Sequence, residues 1–314
     1  MRVGITGISS DLGRCLLPRL QDDPAVERII AFDIAKPTET ASRLEYVRVD
    51  LTRPGMEEEL TARMREARLD ALYHLAFVNS RVHGAAFAHE LEVIGSMHVL
   101  AAAGAVQLPR LILPSLTALY GARPNAPAFL SETAALAGCD GSRFITDRVE
   151  VERQVEAFAE AHPETHVVVL RFAPLVGSRS DNPVTRLLRT RLIPSVLGFD
   201  PLWQVVHEDD AADALHRALR CAERGAFNIA SPEVLPFSAL VRLSGGFPLP
   251  LPGPALRATI GLLESLGVPS VPVPLLDFLT YSWVADLGRA TDQLGFVPRR
   301  SATRAAMSLA GGAT

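Results

Sequence analysis

The sequence predicts an α/β fold, a doubly wound parallel sheet carrying a smaller C-terminal region, and three observations support it. Short apolar runs alternate with amphipathic segments through the first half of the chain, the pattern of successive βαβ units. The turn Thr6-Gly7-Ile8-Ser9-Ser10-Asp11-Leu12-Gly13 follows the first apolar run directly and opens the first amphipathic segment. An acidic residue, Asp33, closes the second run about twenty residues later.

Taken in order, strands are expected at Arg2–Thr6, Arg28–Phe32, Leu44–Val49, Ala71–Leu75, Arg110–Leu113 and His166–Arg171. Helices are expected near Leu12–Leu20, Met56–Ala67, Phe87–Ala103 and Phe144–Ala161. Six strands with crossover helices suit a Rossmann-type domain over residues 1–175, with part of 205–230 returning to it. After Arg171, Pro and Gly accumulate, and Gly245 to Thr280 holds only Arg257, Glu264 and Asp277 as charged residues. Residues 176–314 are therefore expected to be mainly a substrate-binding region with an apolar interior. Within it, Phe247-Pro-Leu-Pro-Leu-Pro-Gly-Pro reads as punctuation that continues no element.

Composition narrows the function classes. With 48% apolar and 21% charged residues the chain is a packed domain and not a disordered one. A formal charge of −4 offers no general attraction to nucleic acid. Cys15, Cys139 and Cys221 are widely spaced and odd in number, which suits free thiols in a reducing compartment. The first residues enter a strand without a signal-like apolar core, and no run of 18 or more apolar residues suggests a membrane span. A cytoplasmic protein is the expectation. The eight histidines show no metal-ligand spacing: His83 and His89 are six apart, and His207 precedes Glu208-Asp209-Asp210. No metal is expected.

The turn at residues 6–13 has a chemical reading. Gly7 permits a tight turn, the helix start presents free N–H groups to a pyrophosphate, and Gly13 lets helix and strand approach. Asp33 can accept hydrogen bonds from both adenosine ribose hydroxyls and would repel a 2′-phosphate, which favours NAD over NADP. An ordinary strand-end turn is the plain alternative for Asp33 taken alone.

These residues resemble the extended short-chain dehydrogenase/reductase family, the NAD-dependent epimerase and dehydratase group. Its T-G-x-x-G-x-x-G turn matches Thr6, Gly7, Ser10 and Gly13, with serine for the middle glycine. Its third-strand aspartate matches Asp50, followed by Leu51, and its H-L-A-A wall matches His74-Leu75-Ala76-Phe77. Leu170-Arg171-Phe172-Ala173-Pro174-Leu175-Val176-Gly177, Val206-His207-Glu208-Asp209-Asp210, Gly225-Ala226-Phe227-Asn228 and Leu294-Gly295-Phe296-Val297-Pro298 resemble later family segments. The resemblance covers nearly the whole chain. It implies NAD held by Gly7, Ser9, Ser10, Asp11, Leu12, Gly13, Asp33, Ile34, Asp50, Leu51, Leu75, Ala76, Phe77, Arg148, Phe172 and Pro174. It also implies a homodimer joined through the helices at Phe87–Ala103 and Phe144–Ala161.

The family's catalytic positions depart together. Its Ser or Thr falls on Leu116, its Tyr and Lys on Phe144 and Arg148, and a helix Asn on Glu92. Phe carries no titratable proton, and losing a positioned general base lowers a rate by about 10²–10⁴. Arg148 keeps a positive charge that could meet the nicotinamide ribose but cannot give up a proton near neutral pH. Thr117 and Tyr120 are the candidate replacement hydroxyls, with Ser115, Thr146 and Asp147 nearby; capping, packing and solvation remain open for each. The pattern is similar to UDP-glucose 4-epimerase-like members that keep the cofactor motif and lose the catalytic set.

Three functions follow from the sequence. The first is an NAD-dependent oxidoreductase or epimerase with a rebuilt proton-transfer site, acting on a small molecule such as a nucleotide sugar. The second is an NAD-binding sensor or scaffold without catalysis. The third is a dehydrogenase of an apolar alcohol or ketone, suggested by the scarcity of charge in Gly245–Thr280. Arg171, Arg179, Arg186, Arg189 and Arg191 lie on the expected substrate side, where they could serve phosphate groups or solvent equally.

Overall fold

The computed structural model describes residues 1–38, 42–77, 85–139, 141–265 and 273–310. Among these, seven parallel strands form the main sheet: β1 (Arg2–Thr6), β2 (Arg28–Asp33), β3 (Leu44–Arg48), β4 (Ala71–His74), β5 (Arg110–Leu116), β6 (His166–Phe172) and β7 (Gly225–Ile229). Their spatial order is β7-β6-β5-β4-β1-β2-β3. The order reverses between β1 and β4, which opens a crevice at the carboxyl ends of those two strands.

Burial on both faces explains the near-continuous apolar strands. One face packs Ile5, Ala31 and Val168 against α1 (Asp11–Asp22) and α5 (Glu208–Ala218). The other packs Ile30, Leu72 and Leu111 against α2 (Met56–Ala67), α3 (Gly95–Ala105) and α4 (Arg143–Ala161). Tyr73 is fully buried at the centre, and its hydroxyl donates to the Leu215 carbonyl of α5 at 3.0 Å.

Four differences from the sequence reading have physical causes. The sheet has a seventh strand, β7, parallel to β6, because Ala226-Phe227-Asn228-Ile229 is too short and mixed to announce itself. Strand β5 runs past Leu113 to Leu116 despite Pro114. Pairing with β4 has already ended at Tyr73↔Ile112, so the proline removes no ladder bond on that side. The helix expected over Phe87–Ala103 is broken into Ala85–His89, a π-helical turn Glu90–Ile94, and α3. Such turns insert a residue and re-aim side chains; here the turn carries Glu92.

The fourth difference lies in the C-terminal lobe, where Phe247–Leu251 is a strand and not punctuation. It pairs in parallel with Leu192–Val196. The Phe247 N–H donates to the Arg191 carbonyl at 2.9 Å. By alternation Leu249 and Leu251 also face the partner, while Pro248 and Pro250 face outward, where a missing N–H breaks nothing. The lobe's core is aromatic: Trp203 lies 5.1 Å from Phe237 and 5.3 Å from Trp283, and its indole N–H donates to the Phe278 carbonyl at 2.9 Å.

Candidate active site

The turn after β1 is built as a dinucleotide cradle requires. Gly7 has φ +70°, and a Cβ there would stand 2.5 Å from the Ala76 Cα beyond β4. The cradle thus touches the Leu75–Phe77 wall directly, and only glycine fits. At Gly13 a Cβ would stand 2.3 Å from the Ile8 carbonyl oxygen, so strand and helix meet through that gap. Ser10 replaces glycine without strain, because its φ is −68°. It is the N-cap of α1, and its hydroxyl accepts the Gly13 N–H at 3.2 Å.

Asp33, at the tip of β2, accepts the Ser9 N–H at 3.0 Å on one carboxylate oxygen and the Ala35 N–H at 3.3 Å on the other. The expected ribose anchor and the glycine turn are therefore clamped together. Ile34 is exposed beside them, and Asp50 accepts the Thr52 hydroxyl at 2.7 Å ahead of buried Leu51. Asp11 turns the other way and accepts the Asp181 N–H at 3.0 Å, and burial raises its pKa above the usual carboxylate value. Leu12 packs against the core. Phe172 is buried at the end of β6, and the Pro174 carbonyl accepts the Val206 N–H at 3.1 Å.

Beneath the wall lies a polar thread. His74 is fully buried, with its Nδ1 2.7 Å from the Thr6 hydroxyl and its Nε2 3.0 Å from the Ser96 hydroxyl. Ser96 in turn donates to the Glu92 carbonyl. Burial first, and the Arg148 cation second, push the imidazole down to about 3, so it is neutral and structural.

Where the resemblance expects the proton relay, an ion pair stands. Arg148 Nε donates to Glu92 Oε2 at 2.8 Å, and a second guanidinium nitrogen donates to Oε1 at 3.2 Å. Both side chains are buried, and the guanidinium lies 4.1 Å from the Phe77 ring centroid and 5.4 Å from that of Phe144. Residues 144, 147, 148 and 151 share one helix face. One step along it, Asp147 Oδ1 lies 3.0 Å from His89 Nδ1. The short helix with its π turn and α4 are thus joined by two adjacent rungs, His89–Asp147 and Glu92–Arg148. Leu116 sits half-buried at the end of β5.

The two candidate hydroxyls are engaged elsewhere. Tyr120 is buried, donates to Asn228 Oδ1 at 2.7 Å and accepts from Arg171 at 2.9 Å. Its pKa is raised, first by burial. Arg171 also holds Glu152 in a two-pronged pair, at 2.7 Å on its closest contact, and Glu152 receives the Ser115 hydroxyl. Thr117 points to the Phe172 carbonyl at 3.4 Å, and the Thr146 hydroxyl donates to its own helix at the Ser142 carbonyl. This knot ties β5, β6 and β7 together.

Of the arginines expected on the substrate side, three more are partnered. Arg179 pairs with Glu208 at 2.9 Å, Arg186 with Asp181 at 2.6 Å, and Arg189 donates to the Gly177 and Ser178 carbonyls; Arg191 is exposed. His207 caps α5 by accepting the Asp209 N–H, and Asp210 accepts the Arg299 and Arg300 N–H groups. His83 lies outside the described residues. Among those described, no group of three or more His, Cys, Asp or Glu side chains could hold a metal ion, and no helix is long and apolar enough to cross a membrane. Sequence reasoning groups Glu92 and Arg148 with the positions that depart together and misses that the two charges pair. Opposite charges at two positions changed together were the available signal.

The sequence model of the NAD dependent epimerase/dehydratase family matches residues 3–230. An uncharacterized protein of Mycobacterium tuberculosis is 30% identical over 302 residues, covering 94% of this chain and 79% of that protein. Among solved structures, UDP-glucose 4-epimerase of Thermotoga maritima with UDP-glucose is similar at TM-score 0.75 and 20% identity, over 99% of this chain and 98% of that one. UDP-glucose 4-epimerase of Thermus thermophilus in complex with NAD gives TM-score 0.75 at 18% identity, with the same coverage. The dTDP-glucose 4,6-dehydratase of Bacillus anthracis in complex with NAD gives 0.72 at 12%, over 99% and 96%.

Proposed function

The chain belongs to the NAD dependent epimerase/dehydratase family, and from that we propose an NAD-dependent oxidoreductase of the epimerase or dehydratase type with a rebuilt proton-transfer site. The substrate class we assign is a nucleotide sugar. Support for NAD comes from the family and from the cradle itself: Gly7, Gly13, and the Asp33 clamp on Ser9 leave the backbone bare where a pyrophosphate would lie. Support for the substrate class comes from the similar UDP-glucose 4-epimerase crystallised with UDP-glucose.

When bound, NAD supplies a hydride acceptor; the proton falls to this chain's own side chains. The observation that carries the proposal is the His89–Asp147 rung on the Phe144/Arg148 face of α4. A carboxylate holding Nδ1 fixes the ring and leaves Nε2 for the substrate proton, the work otherwise done by a phenol. Arg148, steadied by Glu92 and stacked on Phe77, is buried and holds the broken helix to α4. Thr117 and Tyr120 serve as architecture in this proposal.

The test is hydride transfer from UDP-glucose or UDP-glucuronic acid to NAD, followed by NADH fluorescence in wild type, His89→Gln and Asp147→Asn. A fall of about 10²–10⁴ in both variants, with NAD affinity kept, is expected. Equal rates in all three would remove the dyad from the mechanism.

A non-catalytic NAD-binding role is the second reading, favoured by Glu92 neutralising Arg148. Restoring Leu116→Ser, Glu92→Asn, Phe144→Tyr and Arg148→Lys together separates the two. Turnover that appears only in the restored protein supports the binder; turnover already present in wild type supports the enzyme.

A further inference from the structure

One short segment ties the cofactor turn to the C-terminal lobe. Gly177-Ser178-Arg179-Ser180-Asp181-Asn182 leaves the strand Leu175–Val176 and enters the helix Pro183–Leu188. None of these residues carries an apolar side chain, so no hydrophobic packing of its own holds the segment. Its outer side, Ser178, Arg179 and Asp181, is exposed. Segments without buried apolar contacts are the ones that open most readily.

Two carboxylates, each in the first turn of a helix, hold the segment down. Glu208 of α5 is buried and accepts the Ser180 hydroxyl at 2.7 Å on one oxygen. Its other oxygen accepts the Arg179 Nε at 2.9 Å and the Arg179 N–H at 3.3 Å. A Cβ at Gly177 would stand 2.2 Å from the Glu208 carboxyl carbon, so only glycine lets that carboxylate in. On the other side, Asp11 of α1 accepts the Asp181 N–H at 3.0 Å. Asp181 is itself held by Arg186 in a two-pronged pair at 2.6 and 2.8 Å. Because α1 and α5 pack on the same sheet face, the segment runs from one helix start to the other.

The start of α1 is also the end that the glycine turn presents to a pyrophosphate. The tie at Asp11 therefore sits at the rim of the cradle. An ionised carboxylate has no proton to offer a phosphate and repels it. Burial foremost, and the nearby Asp181 and Glu208 carboxylates, already push the Asp11 pKa up. The contact this side chain makes is with the segment, and a phosphate would gain nothing from an acid in its place.

We propose that residues 177–182 form a strap that gates the cofactor cradle, with Asp11 as its catch and Glu208 as its standing anchor. The strap lets go at Asp11 for the dinucleotide to enter or leave, and Glu208 keeps it attached to α5. Asp11 is thus a positioning residue that acts on exchange of NAD and not on its chemistry. The strap rests on the cofactor assignment and holds whether or not the protein turns over a substrate.

The test is stopped-flow fluorescence of NADH binding to the full chain, with release followed by displacement with excess NAD. Asp11→Ala should speed both entry and release by at least about tenfold, the factor carried by one charge-assisted hydrogen bond. Affinity should then change less than either rate. Asp11→Asn keeps an acceptor for the Asp181 N–H and loses the charge, so its rates should stay near wild type. Ser180→Ala, which loosens the other anchor, should move both rates in the Asp11→Ala direction. Unchanged rates in Asp11→Ala would overturn the strap, and so would Asp11→Asn as fast as Asp11→Ala, which assigns the effect to charge. Faster release without faster entry would also overturn it, by making Asp11 a direct cofactor contact. Wild type that binds no NADH would remove the cofactor assignment and the strap with it, whereas wild type that binds at rates indifferent to these substitutions removes the strap alone.

Discussion

Glu92 and Arg148 hold each other by two hydrogen bonds across the junction of the π turn and α4, both buried. Two residues that the resemblance counts among the departing positions form one device: an acid matched to a guanidinium. Breaking a buried pair on one side strands a charge, at a cost of about 3–5 kcal/mol, whereas replacing both with apolar groups is often near neutral. Glu92→Gln should therefore lower unfolding free energy by about that amount, and Glu92→Leu with Arg148→Met by much less. Urea unfolding of the singles and the double measures the coupling directly.

Asp33 holds Ser9 of the turn, and the same carboxylate is the expected anchor of the adenosine ribose. Asp33→Ala should weaken NADH binding and narrow the preference for NADH over NADPH, because both the clamp and the repulsion of a 2′-phosphate go. Paired titrations with the two dinucleotides check this; an unchanged ratio would separate the clamp from selectivity.

Acid should destabilise the fold in two stages. His74 is driven to about 3 from an ordinary 6.5, by burial and then by Arg148. As pH falls below 6.5 the unfolded chain takes up this proton and the folded chain does not until about 3. Stability should then fall between those values by on the order of 1.4 kcal/mol per unit. Asp23 adds a later loss. Burial pushes it up, but donors from Arg220 and His216 hold it at about 2 against 3.8, so its contribution disappears as pH drops through that window. Urea midpoints across the range test the order, and His74→Gln should flatten the first stage.

Tyr120→Phe leaves Asn228 Oδ1 without its donor inside the β5–β7 knot. A loss of about 1–3 kcal/mol in stability is expected, with NADH affinity unchanged. A variant that is fully stable but unable to transfer hydride would return Tyr120 to the chemistry.

How far the sequence could be read depended on the range of each interaction. The first six strands and the turn at Gly7–Gly13 were legible because they are local patterns, apolar runs and glycine spacing. β7 was hidden because its five residues gain meaning only from β6 beside them. The ribbon strand Phe247–Leu251 was hidden because proline looks like a breaker until its outward face is known. The tight turn at Gly7 was readable from position, whereas the Asp33 clamp on Ser9 emerges only in three dimensions. The Glu92–Arg148 and His89–Asp147 rungs were not legible either, since a π turn sets their register and no short-range pattern encodes that turn.

Calorimetric titration of NADH into the wild-type protein, with Gly7→Ala as the control, tests most directly whether the cradle beside the Glu92–Arg148 pair holds the cofactor. Saturable binding at one site per chain, lost when a Cβ is forced against Ala76, is the predicted result. Absence of binding by wild type, or equal binding by Gly7→Ala, would contradict it.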